Sequence, residues 1–175
     1  ACLAALVPAM AGTVPSAAKS LLVVGAIADV VEDQFKRLFA ELGIGPVAFL
    51  PPRNAASIPA IGPETRYILA QPFLTETARA LEERGAKRIA APFPLGANGT
   101  TEWLAAAARE WKIDAHHFES VISAPRTRAR TALEPHRFRL SGKRAFFFPD
   151  SQLEIPLARF LSSELNVELA EVGTP

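Results

Sequence analysis

A single cysteine, Cys2, occurs in 175 residues. That excludes an internal disulfide framework and fits a reducing compartment. Histidine is almost as scarce. His116 and His117 are adjacent, so on a helix they point apart and chelate one metal poorly. With no second thiol and no histidine at helical spacing from them, a zinc site is not expected, and a solvated or capping role is. No apolar run approaches the roughly 20 residues that span a bilayer. The opening ACLAALVPAMAG lacks a basic leader and is interrupted by Pro8, so it reads as the end of a helix and not as a signal peptide. The formal net charge is only +1, which provides no global field toward nucleic acid or acidic lipid. Glycine is missing where a dinucleotide fingerprint needs it. VVGAIAD holds Gly25 alone in place of three glycines, which speaks against a nicotinamide or flavin dinucleotide site.

What the chain does have is an apolar share of 49% against 21% charged residues, the balance of a globular protein with a sizeable core. Its pattern alternates. LLVVGA (21–26) is a continuous apolar run of the buried-strand type. Asp29 starts a helix, with Glu32 at capping-box spacing, and Val31, Phe35, Leu38, Phe39 and Leu42 form its apolar face before Gly43 stops it. PVAFLP (46–51) and RYILA (66–70) are further strands. Leu74, Ala78 and Leu81 line a helix that Gly85 ends. RIAAPF (88–93) is the fourth strand, and it leads through PLGANG into a helix carrying Trp103, Leu104, Ala107, Ala108 and Trp111.

Strands alternating with helices of 10 to 15 residues predict a Rossmann-like α/β fold with an open, mostly parallel sheet. The expected organisation is the end of a helix or linker over 1–19, an α/β domain over 20–112, a helical connector over 113–142, and the start of a second Rossmann-like domain over 143–175. The connector is read as helical as far as Pro135. Its Arg-rich stretch 126–144 lacks interleaved aromatics apart from Phe138, so it reads as a solvated connector and not an RNA-binding face. Both ends read as interrupted, since a parallel strand such as VELAEV needs a crossover to reach its neighbour.

Two strand-end segments are candidate sites, because ligands of open sheets sit at the carboxyl ends of strands. In PFPLGANGTTEW, Gly96, Asn98, Gly99 and Thr100 precede or open a helix, where backbone amides and the helix dipole favour an anion. Ordinary turn-plus-cap chemistry, with Thr100 and Thr101 as the caps, explains the same residues and is the reading preferred for them. In FFFPDSQLEIP, Pro149, Asp150 and Ser151 follow a buried strand. Ser151 and Glu154 have capping-box spacing, yet Pro156 is too deep in a helix begun at Ser151. Either that helix bends, or it begins near Glu154 with Pro156 in its first turn.

SLLVVGAIADVVEDQFKRLFAELGIGPVAFLP, RYILAQPFLTETARALEERGAKRIAAPFPLGANGTTEWL and KRAFFFPDSQLEIPLARFLSSELNVELAEVGTP together resemble the N-type subunits of light-independent protochlorophyllide reductases. These belong to the nitrogenase component-one-like family. The similarity runs from about Ser20 to Pro175. It implies a subunit of three Rossmann-like domains, paired with a homologous B subunit in a heterotetramer. An iron-protein-like ATPase docks there and delivers electrons singly as ATP is hydrolysed. A four-iron four-sulfur (4Fe-4S) cluster then serves the reduction of the C17–C18 bond in ring D of protochlorophyllide, in a bacterial cytoplasm or plastid stroma. The resemblance implies that the N subunit's three cysteine ligands lie upstream of the segment matched here, and Cys2 is not matched to any of them. The segment alone is therefore expected to hold no cluster, to be inactive, and to be poorly soluble. The same superfamily also contains chlorophyllide reductase, nitrogenase and assembly-scaffold subunits. An alternative of another class is a nucleotide-sugar-binding α/β module that uses GANGTT for phosphate and needs no partner.

Overall fold

Leu21 to Val24 are buried to a residue, which requires strands on both sides and cover on both faces. The computed structural model, which describes residues 3–12, 18–149 and 152–173, provides the flanking strands. β1 (Ser20–Val24) is central, with β2 (Val47–Leu50) on one side and β3 (Thr65–Leu69) on the other. β4 (Lys87–Arg88) extends the order to β2-β1-β3-β4, and every pairing is parallel. Leu22 stands level with Ala48 and Tyr67, and Val24 with Leu50 and Leu69.

β4 is much shorter than the expected strand over 88–93. After Arg88 only the Ile89 amide bonds to the sheet, donating to the Tyr67 carbonyl at 2.8 Å. Pro92 and Pro94, which have no amide hydrogen, then end the ladder.

The helix after β1, α1 (Asp29–Glu41), begins with Asp29 already inside it. The residue before it, Ala28, has no side chain that can cap. Its buried face also differs from the sequence pattern. Phe35, Leu38 and Phe39 are buried as expected, but Val31 is exposed and Glu32 is buried. Glu32 tolerates this because Lys36 and Arg53 both reach its carboxylate, at 2.5 and 3.1 Å. Gly43 closes α1 with φ +71°, a conformation that disfavours any side chain. α2 (Thr75–Glu83) covers its share of the core with Ala78 and Leu81. At the amino end, Ala4–Ala9 form a 3-10 helix containing Pro8, tied down by Arg84, which donates to the carbonyls of Val7 and Met10 at 3.1 and 2.8 Å.

The chain divides into two compact units, Ala1–Ala91 with Ala106–Ile113, and Pro92–Ala105 with Asp114–Pro175. α3 (Gly96–Glu110) contributes to both. In the second unit, α4 (Ala115–Leu140) is capped by Asp114, whose Oδ1 accepts from the amides of His116 and His117 at 2.9 and 3.1 Å. The helix does not stop near Pro135; it runs through Pro125 and Pro135 to Leu140. β5 (Arg144–Phe147), α5 (Glu154–Leu165) and β6 (Glu168–Val172) form a parallel βαβ unit. α5 opens at Glu154 with Pro156 in its first turn, the position where a missing amide hydrogen costs nothing. Asn166 ends it in the left-handed region, φ 56°.

Candidate functional site

In the first unit the chain leaves β1 for β2 on one side, then returns to place β3 on the other. Connections from neighbouring strands therefore diverge at the carboxyl ends of β1 and β3, the place where open sheets receive ligands. The two ends are pressed together. A Cβ on Gly25 would lie 3.1 Å from Gln71 Cγ and 3.2 Å from Ala70 Cβ, and Gly25 itself has φ +149°. Two large apolar side chains are exposed in the segments that follow β1 and β3. Val30, in the first turn of α1, is 67% exposed, and Phe73, after β3, is 53% exposed. Phe73 also holds φ 66°, a left-handed backbone that costs a bulky residue free energy and that clusters at functional positions.

The charges at the same edge are occupied with one another. Arg53, in the segment after β2, donates to Asp33 Oδ1 at 2.6 Å and to the Asp29 carbonyl at 2.7 Å, and it pairs with Glu32 at 3.1 Å. The hydrogen bond to Asp33, and then that to Glu32, raise the guanidinium pKa above its ordinary value. The carboxylates of Asp29, Glu32 and Asp33 thus converge on one guanidinium.

The second unit contains a cleft of about 670 Å³ between the first turns of α3, the middle of α4, α5 and β6. Phe93, Leu95, Ile155, Pro156, Phe160, Leu169 and Val172 give it an apolar wall. Its rim is polar. Arg159 bonds Glu102 at 2.9 Å, Arg130 donates to Asn98 Oδ1 at 2.9 Å, and Arg126 pairs with Glu119.

Of the residues singled out from the sequence, Asn98 and Gly99 line this cleft. Gly96 and Thr100 do not, and neither does Pro149, whose ring lies against Gly173. Asp150 and Ser151 lie outside the described residues. GANGTT is not a loop. All six residues are helical, so Thr100 and Thr101 stand inside α3 and cannot be its caps. The amides of Ala97 and Asn98 already donate to the Glu164 carboxylate, at 2.8 and 2.9 Å. A phosphate there would have to displace an internal anion, and the nucleotide-sugar alternative loses the feature it rested on. Glu164, Arg53 and Phe73 were not foreseen. Their roles come from segments brought close by the fold, and no local motif marks them.

Among the described residues no group of three or more His, Cys, Asp or Glu side chains could hold a metal ion, and Cys2 lies outside them. The described residues therefore do not fit an iron–sulfur cluster. No helix among them is long and apolar enough to cross a membrane.

Comparison with known proteins agrees with the architecture. A family described as nitrogenase component 1 type oxidoreductase matches residues 1–175. The light-independent protochlorophyllide reductase subunit N of Bradyrhizobium sp. strain BTAi1 is 65% identical over 175 residues, covering 100% of this chain and 41% of that protein. The subunit of the same name from Rhodospirillum rubrum is 61% identical, covering 100% of this chain and 40% of that protein. The resemblance read from residues 20–175 is thus the one these relatives carry, and the chain spans about two fifths of the curated relatives it matches, at 41% and 40%. It belongs to the nitrogenase component 1 type oxidoreductase family.

Proposed function

We propose that this chain is part of an N subunit of a light-independent protochlorophyllide reductase, and that its own contribution is to wall and position the substrate. The observation that carries this reading is the match along all 175 residues to relatives of that name. The site's chemistry agrees with it. A flat, largely apolar macrocycle needs apolar surface at a strand edge, and Val30 and Phe73 provide it beside the β1–β3 switch point. No group of three or more His, Cys, Asp or Glu side chains that could hold a metal accompanies them among the described residues. On this reading the redox chemistry is carried by cofactors held elsewhere. The cluster ligands, the homologous B subunit and the ATP-consuming reductase are then contributed by other segments and other polypeptides. The assembly works in the bacterial cytoplasm or plastid stroma.

The test is anaerobic purification of the full-length protein with its companion subunits, followed by incubation with protochlorophyllide, ATP and a reductant in darkness. Chlorophyllide formation that stops without ATP supports the proposal. Reduction of chlorophyllide instead would move the protein to the neighbouring reductase. A colourless monomer that binds a nucleotide sugar would end the reading altogether.

A further inference from the structure

The second half of α4 is built in a way that its own unit does not explain. From Thr127 to Leu140 every residue is exposed apart from the half-buried Leu133. A helical stretch of this length that half-buries one side chain is marginal in water, and Pro135 removes one of its hydrogen bonds. Residues 126–144 hold seven Lys and Arg against Glu134 alone, in a chain whose formal net charge is +1. Two of these charges are used locally, since Arg126 pairs with Glu119 and Arg130 donates to Asn98. The side chains of Arg128, Arg137 and Arg139 make no hydrogen bond or ion pair with the described residues. The helix dipole accounts for cations in the last turn, which covers Arg137 and Arg139 but not Arg128. Nor does it account for Phe138, which stands 89% exposed between two of them.

We infer that the carboxyl-terminal half of α4 is a docking surface for a second polypeptide that presents an acidic face with an apolar pocket for Phe138. The unpaired arginines provide the charge complementarity that steers association and fixes register. The aromatic ring is the kind of anchor that becomes energetically dominant once it is desolvated. Nucleic acid suits this surface less well, because the stretch has one exposed aromatic and no general positive field behind it. The inference rests on the reading of the chain as part of a multi-subunit enzyme.

The experiment uses the full-length protein and its companion subunits. A variant carrying R128E, R137E and R139E is compared with wild type and with the matching Arg→Lys variant. Subunit association is followed by sedimentation velocity at low and high salt, and thermal melting of the full-length protein alone is measured in parallel. The expected result is association weakened roughly tenfold or more by charge reversal and kept by the lysine variant, with wild-type affinity falling with salt. Phe138→Asp should weaken it as well, while the melting of the subunit alone stays unchanged. Unaltered association overturns the docking surface and leaves the proposed function standing. A lowered melting temperature with unaltered association also overturns it, and assigns the helix to the subunit's own fold. A wild-type protein that stays monomeric beside its companions overturns both readings.

Discussion

Glu164, at the end of α5, caps the backbone of Ala97, in the first turn of α3, at 2.8 Å across 67 positions of sequence. The second carboxylate oxygen takes the amide of Asn98. One side chain thereby satisfies two of the four donors that a helix start leaves open and places a negative charge at the positive end of the dipole. Glu164→Ala should lower the stability of the full-length protein by about 1–2 kcal/mol. Glu164→Gln should cost less, because the amide oxygen still accepts one of the two bonds. Chemical denaturation of the two variants reads the difference, and an unchanged midpoint for Glu164→Ala would show that the cap is not needed.

The same contact makes Gly96 a demanding position. It holds φ +71°, and a Cβ there would lie 2.3 Å from both Glu164 Oε1 and Phe160 Cδ2. Gly43 has the same φ, but a Cβ there meets nothing within 4 Å. The pair separates backbone strain from steric exclusion. Gly43→Ala should cost about 1 kcal/mol for the left-handed conformation alone. Gly96→Ala should cost roughly 3 kcal/mol or more, since it also drives the cap and the ring apart. Equal losses in the two variants would mean that the cap yields without strain.

How far the sequence could be read follows from what holds each element. β1 was legible because it is apolar on both faces, and Gly43 and Gly85 because only a glycine sits easily in the left-handed region. The face of α1 was misjudged by one position, since periodicity favours Val31 and the Glu32 charge becomes tolerable only through Arg53, 21 residues later. GANGTT reads as a turn for its glycines, yet it folds as helix because Glu164 caps it from a distant segment. Arg53 and Phe73 sit in segments without regular structure, where function depends on which strand ends meet, and strand order is not local information. Pro135 suggested a helix end, but one lost hydrogen bond does not terminate α4.

Two titratable groups should bend the stability–pH curve at opposite ends. Tyr67 is wholly buried and donates to Glu82 Oε1 at 2.6 Å. Burial, and then that hydrogen bond, raise its pKa above the ordinary tyrosine value. Its contribution is therefore complete below the unfolded pKa of about 10 and is lost as pH rises toward the folded value. Glu110 behaves oppositely. The Arg66 guanidinium at 2.7 Å is the main cause of a lowered pKa, so its contribution is present above the unfolded glutamate value and lost as pH falls through the folded one. Tyr67→Phe should flatten the alkaline limb and Glu110→Gln the acid limb, as measured by denaturation midpoints across pH. A phenolate band that the Tyr67→Phe difference spectrum places near pH 10 in the folded protein would contradict the assignment.

Phe73 offers a direct check on the substrate-facing role proposed for the β1–β3 switch point. Glycine removes the ring and relieves the left-handed backbone together, so the lost contacts and the relieved strain oppose one another. Phe73→Gly should change stability by less than about 1 kcal/mol while raising KM for protochlorophyllide roughly tenfold in the assembled enzyme. An unchanged KM would remove Phe73 from the substrate wall.

The 175-residue segment produced by itself should self-associate. Along β5, Ala145 and Phe147 are half-buried, whereas Phe146 is 57% exposed and Phe148, just beyond the strand, 73%. A parallel sheet is normally covered on both faces, and two strands leave ladder groups open at each edge. Exposed phenylalanines beside open edges make an aggregation site, so Phe146→Ser with Phe148→Ser should raise the monomer fraction in gel filtration without altering the melting of the segment. Charge substitutions on the first unit's surface should have no such effect. If the unsubstituted segment runs as a monomer and melts cooperatively, the exposed ring face is not a liability, and the expectation of poor solubility falls with it.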